Sequence, residues 1–166
     1  AFPGYERLVR PLPPQISEIA KVLRAQEALV FLMPEAQGVH VWAVMQQGGQ
    51  ARARHHWTAW PIEALNKDIN DLRSPLEALG ETGRVKPFQD KLSLTLYQKL
   101  LAPLADDLMQ KPQWIVAASG PLARIPFSLL QTEAAQNGRA ARWLIDQVAL
   151  THVPSVGSWL SLRSEE

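Results

Sequence analysis

The chain contains no cysteine among its 166 residues, and this absence removes several kinds of chemistry at once. Without a thiol the chain can form neither disulfide bonds nor zinc–thiolate sites, and it has no cysteine nucleophile. The absence does not indicate a compartment, because cysteine-free domains occur in both reducing and oxidising environments.

The chain also lacks an excess of either charge and a long apolar run. Its 17 basic and 16 acidic residues give a formal net charge of +1, which excludes a polybasic tail or an acidic solvating segment. No run of roughly 18 apolar residues occurs, so we expect no membrane-spanning helix. Residues 1–4 show no signal-peptide pattern and are typical of a cut end. We therefore expect a soluble, cytoplasmic unit about the size of one domain.

Prolines dominate the first segment of the chain. Pro11, Pro13 and Pro14 lack a backbone donor and disfavour a helix before them, so residues 1–15 are predicted to form an extended arm. Ser17 is a suitable N-cap for a short helix that follows. Three runs between residues 28 and 57 then alternate or are compactly apolar, and turn residues separate them. This pattern predicts an antiparallel β-meander.

Two leucine-rich stripes follow between residues 61 and 109, and each has the spacing of an amphipathic helix. Pro75 lies inside the first stripe, so we expect that helix to be kinked or divided near Arg73. Pro103 lies inside the second stripe, although the leucine spacing continues through it. We interpret both stripes as faces that pack against a sheet.

The last segment, 113–162, alternates strand and helix patterns. The predicted elements are a strand at Gln113–Ala118, a helix at Phe127–Gln131, a loop at Thr132–Arg139, a strand at Trp143–Val153 and a final helix that Ser155 caps. Strands that alternate with helices after a meander predict an α/β fold with a mixed sheet.

A serine hydrolase is one candidate activity, because Ser119, Asp146 and His152 follow one another in the order of α/β-hydrolase triads. The sequence around Ser119 is not the G-x-S-x-G of that class. Asp146 and His152 are predicted to share one strand, where at roughly 3.3 Å per residue they would lie nearly 20 Å apart. That distance precludes the hydrogen bond that orients a histidine base. We therefore predict no catalytic residue in this chain.

Metal and cofactor sites have no support from spacing. The four histidines are His40, His55, His56 and His152, and no H-x-x-x-H pair or D-x-D loop occurs. Neighbours such as His55 and His56 point to opposite faces of a strand, and Asp106 and Asp107 diverge on a helix. Neither of the phosphate-binding motifs G-x-x-x-x-G-K-[ST] and G-x-G-x-x-G occurs. We predict no metal-binding and no cofactor-binding residue.

A nucleic-acid interface is a further candidate. Arg52, Arg54 and His56 are predicted to line one face of the third strand, with Arg84 and Lys86 in a later loop. Trp42, Trp57 and Trp60 are close in sequence and could stack on bases. The net charge of +1 lacks the excess that phosphate binding needs, so we interpret this face as the charged outer side of an edge strand. A protein- or nucleic-acid-binding module that uses this meander remains the alternative function.

A series of motifs in the second half of the chain is more informative. Leu96-Tyr97-Gln98-Lys99-Leu100-Leu101-Ala102-Pro103 is followed by Ser119-Gly120-Pro121-Leu122 and by Ile125-Pro126-Phe127-Ser128-Leu129-Leu130. The series closes with His152-Val153-Pro154-Ser155. It resembles the front half of a CHAT domain, a caspase-like module related to separase and often found beside tetratricopeptide repeats. The stretch Glu27–Trp57 is also similar to the start of that family.

The resemblance implies that residues 16–166 form the N-terminal part of a CHAT-like domain, comparable to the pseudo-caspase half. The histidine–cysteine dyad of the family belongs downstream of the "PS" helix, so the resemblance gives this chain no catalytic residue. It implies a parent that is a cysteine endopeptidase, or an inactive relative. The implied partners are the catalytic half, tetratricopeptide repeats and the parent's protein substrate. We expect no membrane partner, and the low net charge disfavours nucleic acid.

Overall fold

A computed structural model describes residues 15–83 and 85–164 of the chain. Nearly all of the predicted extended arm, and Arg84, lie outside the described residues.

The main sheet of the described residues has five strands and combines antiparallel with parallel pairing. Its strands are β1 (Glu27–Pro34), β2 (Gly38–Gln47), β3 (Gln50–Ala59), β4 (Gln113–Ala118) and β7 (Ala149–Val153). They lie side by side in the order β3-β2-β1-β4-β7. The first three are antiparallel, whereas β4 and β7 are parallel to β1. This arrangement confirms the predicted α/β fold with a mixed sheet and an N-terminal meander.

In the described residues, five α-helices accompany the sheet. They are α1 (Ile16–Val22), α2 (Ile62–Thr82), α3 (Asp90–Leu100), α4 (Ala105–Leu108) and α5 (Val156–Arg163). Short 3-10 turns occur at Ala102–Leu104, Gly120–Arg124, Phe127–Leu129 and Leu144–Asp146, and a small hairpin pairs β5 (Gln131–Glu133) with β6 (Arg142–Trp143).

Each face of the sheet carries its own apolar core. The larger core joins alternate residues of β1 and β2 to the leucines of α2, α3 and α4. The smaller core lies on the opposite face, where α1 and α5 cover Leu29, Val44 and Ile115. Since β1 contributes to both cores, its sequence is a continuous apolar run and not an alternating one.

The two prolines in the helical segment have different effects. Helix α2 continues through Pro75, so the expectation that Pro75 divides it near Arg73 is wrong. One proline removes a single backbone hydrogen bond, and the buried side chains of Leu65, Ile69 and Leu72 anchor this helix on the sheet. By contrast, α3 ends at Leu100, and Pro103 lies in a 3-10 turn before α4.

Two local helix predictions are corrected. Helix α1 begins after Gln15 and not after Ser17, and the Glu18 carboxylate accepts a hydrogen bond from the Gln15 backbone nitrogen at 3.1 Å. The predicted helix Phe127–Gln131 is only a 3-10 turn that ends at Leu129, because Gln131 starts β5.

The predicted strand Trp143–Val153 is not continuous in the structure. Trp143 ends β6, a 3-10 turn follows, and the sheet strand starts only at Ala149. The predicted loop 132–139 likewise starts inside β5. The paired residues are few and polar, so their pattern does not differ from that of a loop.

Ser93 links α3 to the segment that turns into the small hairpin. Its side chain is fully buried, donates to the Leu129 carbonyl oxygen at 2.7 Å and accepts from the Gln131 backbone nitrogen at 2.8 Å. One hydroxyl therefore satisfies two backbone groups of a chain segment that has little regular structure of its own.

We predict that Ser93→Ala lowers the free energy of unfolding by about 1–3 kcal/mol, because a buried N–H and a buried carbonyl lose their partner. Urea denaturation would measure the change. Thr95→Ala is the matched control, since Thr95 is exposed and only bonds the Lys91 carbonyl within the same helix. An equal loss in both variants would contradict the role of Ser93.

Candidate functional site

The three residues considered for a serine hydrolase lie in different surroundings. Ser119 follows β4, and its hydroxyl donates to the Leu32 carbonyl oxygen at 3.3 Å. Asp146 ends a 3-10 turn and His152 lies in β7, so the expectation that they share one strand is wrong. In residues 15–83 and 85–164 no hydrogen bond joins any two of the three.

Asp146 and His152 instead line one open cleft of about 560 Å³ at the free edge of β7. Ser128 and Ile145 also line it. The His152 ring contacts Phe127, with ring centroids 5.8 Å apart. The cleft brings together a hydroxyl, a carboxylate and an imidazole, and in the described part of the chain no hydrogen bond joins them. The prediction of no catalytic residue stays a prediction.

The basic residues of β3 are occupied by an acidic partner within the protein. Asp107 is buried, with its Oδ2 atom 2.5 Å from Arg54 Nη1 and its Oδ1 atom 3.3 Å from Arg52 Nη2. Both arginines remain partly exposed, Arg52 at 41% and Arg54 at 44% of its side-chain surface. The cluster ties the edge strand β3 to the α4 region.

His56 makes a similar link from the same face of β3. Its Nε2 atom lies 2.8 Å from the Leu100 carbonyl oxygen, so this nitrogen donates. The face with Arg52, Arg54 and His56 is therefore directed towards the helices. β3 is an edge strand, as predicted, but the interpretation of this face as the outer side is wrong.

The tryptophans divide into buried and exposed groups that the sequence did not distinguish. Trp60 is 4% exposed, donates to Asp68 Oδ2 at 3.0 Å and lies under the Lys99 ammonium group. Trp114 is also buried and donates to two carbonyl oxygens near the end of α4. Trp57, by contrast, is 45% exposed. Trp60 is thus unsuited to base stacking.

Two findings concern metals and membranes. Among the described residues, no group of three or more histidine, aspartate or glutamate side chains could hold a metal ion. In the same part of the chain, no helix combines the length and apolar character needed to cross a bilayer.

The family motifs form one continuous structural unit around the end of β4. Gly120 has φ +58°, which favours glycine, and a Cβ there would lie 3.2 Å from Pro34 Cγ. Phe127 of the "PF" pair is buried in the larger core. Ser155 of the "PS" pair caps α5, since its hydroxyl oxygen accepts from the Ser158 backbone nitrogen at 3.0 Å. These motif residues therefore form a turn, fill the core and cap a helix.

The structure is an α/β fold with a mixed sheet. The motifs of the series lie in the segment that runs from α3 to α5. Residues 90–166, somewhat less than half of the chain, match the family model of the CHAT domain, the family that the resemblance indicated. The match does not include the meander, and the similarity of Glu27–Trp57 to the family stays a prediction. A comparison with curated proteins found no match to the chain.

Asp107 is the residue of this site that the sequence analysis misinterpreted. It was considered only as a metal ligand beside Asp106, whereas it is the partner of two arginines. Arg54 precedes it by 53 positions, and no local pattern indicates a contact over such a separation. Leu108 beside it is buried, but this only weakly indicates that Asp107 is buried too, because Asp106 lies in the same short helix and is exposed.

We predict that Asp107→Ala lowers the free energy of unfolding by about 1–3 kcal/mol, between the values for exposed and buried ion pairs. The loss arises because two arginines lose their shared carboxylate. Thermal or urea denaturation would measure it, with Asp106→Ala as the matched exposed control. Equal stability of the Asp107→Ala protein and the unmodified chain would contradict this role.

Proposed function

We propose that this chain is the non-catalytic N-terminal part of a CHAT-type caspase-like domain, and that it supports a catalytic half supplied by the parent protein. The parent is then a cysteine endopeptidase or an inactive relative that serves as a scaffold. The proposal rests on the match of residues 90–166 to the family model of the CHAT domain.

The observation that carries the proposal is the outer edge of β7. β7 is the last strand of the described sheet, it is parallel to β4, and its residues are exposed or half-buried. A terminal strand presents unpaired backbone N–H and C=O groups to any strand that can pair with it. A parallel sheet that is covered on both faces is a suitable foundation for further parallel strands.

An apolar side chain near that edge supports the same role. Ile145 lines the cleft beside β7 and is 59% exposed. A partner that covers this side chain would remove apolar surface from water, which favours association. A catalytic half that adds a strand to β7 would cover Ile145 at the same time.

The alternative function is a protein-binding module that uses the meander. The exposure of Trp57 favours it, because tryptophan is enriched at protein interfaces. Its nucleic-acid version has less support, since Asp107 neutralises part of the charge of Arg52 and Arg54. No change of oligonucleotide mobility at low salt would reject that version.

We predict that Ile145→Asp weakens association with the catalytic half by about tenfold or more, because the variant buries a charge in the interface. The measurement is calorimetry between this chain and the parent's downstream segment that carries the histidine and cysteine motifs. Val85→Asp is the matched control, since Val85 is an exposed aliphatic residue in a loop.

Three outcomes separate the alternatives. Binding that only Ile145→Asp weakens supports the proposed role and the β7 edge as the interface. Binding that neither variant weakens supports the role but places the interface elsewhere. A parent without the two motifs contradicts the peptidase version of the proposal, and the absence of any association contradicts the supporting role.

A further inference from the structure

A row of aromatic rings crosses the meander on the face opposite the larger core. The register places Phe31 of β1 opposite Trp42 of β2, and Trp42 opposite His55 of β3. Ring centroids are 5.3 Å apart for Phe31 and Trp42, and 4.8 Å apart for Trp42 and His55. Trp42 is half-buried, whereas His55 lies on the edge strand and is exposed. His55 is therefore the outermost ring against Trp42.

A second histidine holds His55 in this position. His40 precedes Trp42 by two residues on the same face of β2, and its ring lies 5.3 Å from the Trp42 ring. The Nδ1 atom of His40 is 2.9 Å from the Nε2 atom of His55, which is a hydrogen-bond distance. Two ring nitrogens can form such a bond only when one carries a proton and the other does not.

Glu35 determines the direction of this bond. Its Oε2 atom lies 3.4 Å from His40 Nε2, and its Oε1 atom accepts from the Trp57 indole N–H at 2.6 Å. At that distance the carboxylate favours a proton on His40 Nε2, because a carboxylate can only accept. In the neutral ring Nδ1 is then the acceptor, and His55 Nε2 donates to it. The Trp57 ring also packs closely on Gly38, where a Cβ would lie 2.5 Å from it.

The arrangement has room for one additional proton and not for two. A first proton on His40 turns Nδ1 into a donor, and His55 can accept by changing its tautomer, while Glu35 faces the new charge. A second proton places two N–H donors and two positive charges opposite each other across the same 2.9 Å. The hydrogen bond is then lost and the two rings repel each other.

We propose that His40 and His55 form a proton-sensitive latch over Trp42: with at most one proton added, the pair holds His55 against the Trp42 ring, and the second proton releases His55 and exposes that ring. The consequence is an aromatic patch on the meander whose accessibility increases in mildly acidic conditions. This inference does not depend on the proposed role in a CHAT-type domain, since all the groups involved lie in the meander.

The electrostatic surroundings of His55 have the sign that the latch requires. Burial lowers the pKa of His55 below its usual 6.5, and the positive charges of His40 and His56 lower it further. His56 lies on the opposite face of β3, and α1, which covers the neighbouring part of the sheet, carries Glu18 and Lys21. Because the folded pKa lies below 6.5, His55 stabilises the fold above pH 6.5, and this stability is lost as the pH falls through the folded pKa.

NMR titration of the histidine rings tests the latch directly. We expect His55 to titrate below 6.5 in the unmodified chain and closer to 6.5 in His40→Gln, because the variant removes the neighbouring charge and the shared bond. His152→Gln is the control, since His152 lies in β7 at the other side of the sheet and should leave the His55 titration unchanged. An identical His55 midpoint in His40→Gln and in the unmodified chain would overturn the proposal.

A second readout follows the release itself. Exchange of the Trp42 indole N–H with solvent is assigned by its absence in Trp42→Phe and corrected for intrinsic rate. It should be about tenfold faster about one pH unit below the His55 midpoint than about one unit above it. In His55→Gln that dependence should disappear, because a glutamine side chain does not titrate. Exchange that is independent of pH in the unmodified chain would contradict the release of His55.

Discussion

The pairing of β1 with β4 is the contact on which the rest of the structure depends. It is the place where the antiparallel meander meets the parallel strands, and residues from Glu27 to Leu32 pair in register with residues from Gln113 to Ala118. Both strands are buried on their two faces, so each side chain enters one core or the other. Displacing the register by one residue would exchange the two faces of β1, because side chains alternate along a strand.

The same contact explains which parts of the fold could be predicted from the sequence. Gln113–Ala118 is a short apolar run between turn signals, and its boundaries were predicted correctly. The meander and the leucine stripes were also predictable, because long segments with a clear period identify their own structure. The segment 131–148 was not, since its two-residue and three-residue strands are too short to show any period. Its order depends instead on tertiary contacts such as the hydrogen bonds of Ser93.

The candidate sites show a sharper limit of sequence reasoning. Alternation along β3 correctly placed Arg52, Arg54 and His56 on one face, but it could not show that this face turns towards α4. The deciding partner, Asp107, lies far away in sequence, and buried charges are found where a partner compensates them. The same alternation places His55 on the opposite face, where His40 and Trp42 surround it. The adjacent residues His55 and His56 therefore make unrelated contacts on opposite faces of β3.

The distribution of charge and of strand edges shows which surfaces of the described residues remain available to a partner. Buried carboxylates such as Asp107 and Glu27 are occupied by arginines, with Glu27 Oε1 2.6 Å from Arg163 Nη2 at the end of α5. Those pairs hold the peripheral elements on the sheet, so they are not free to act on a substrate. What the described residues offer outwards is the backbone edge of β7 and the aromatic side of the meander. Both are features through which a protein binds another polypeptide, and neither requires a nucleophile.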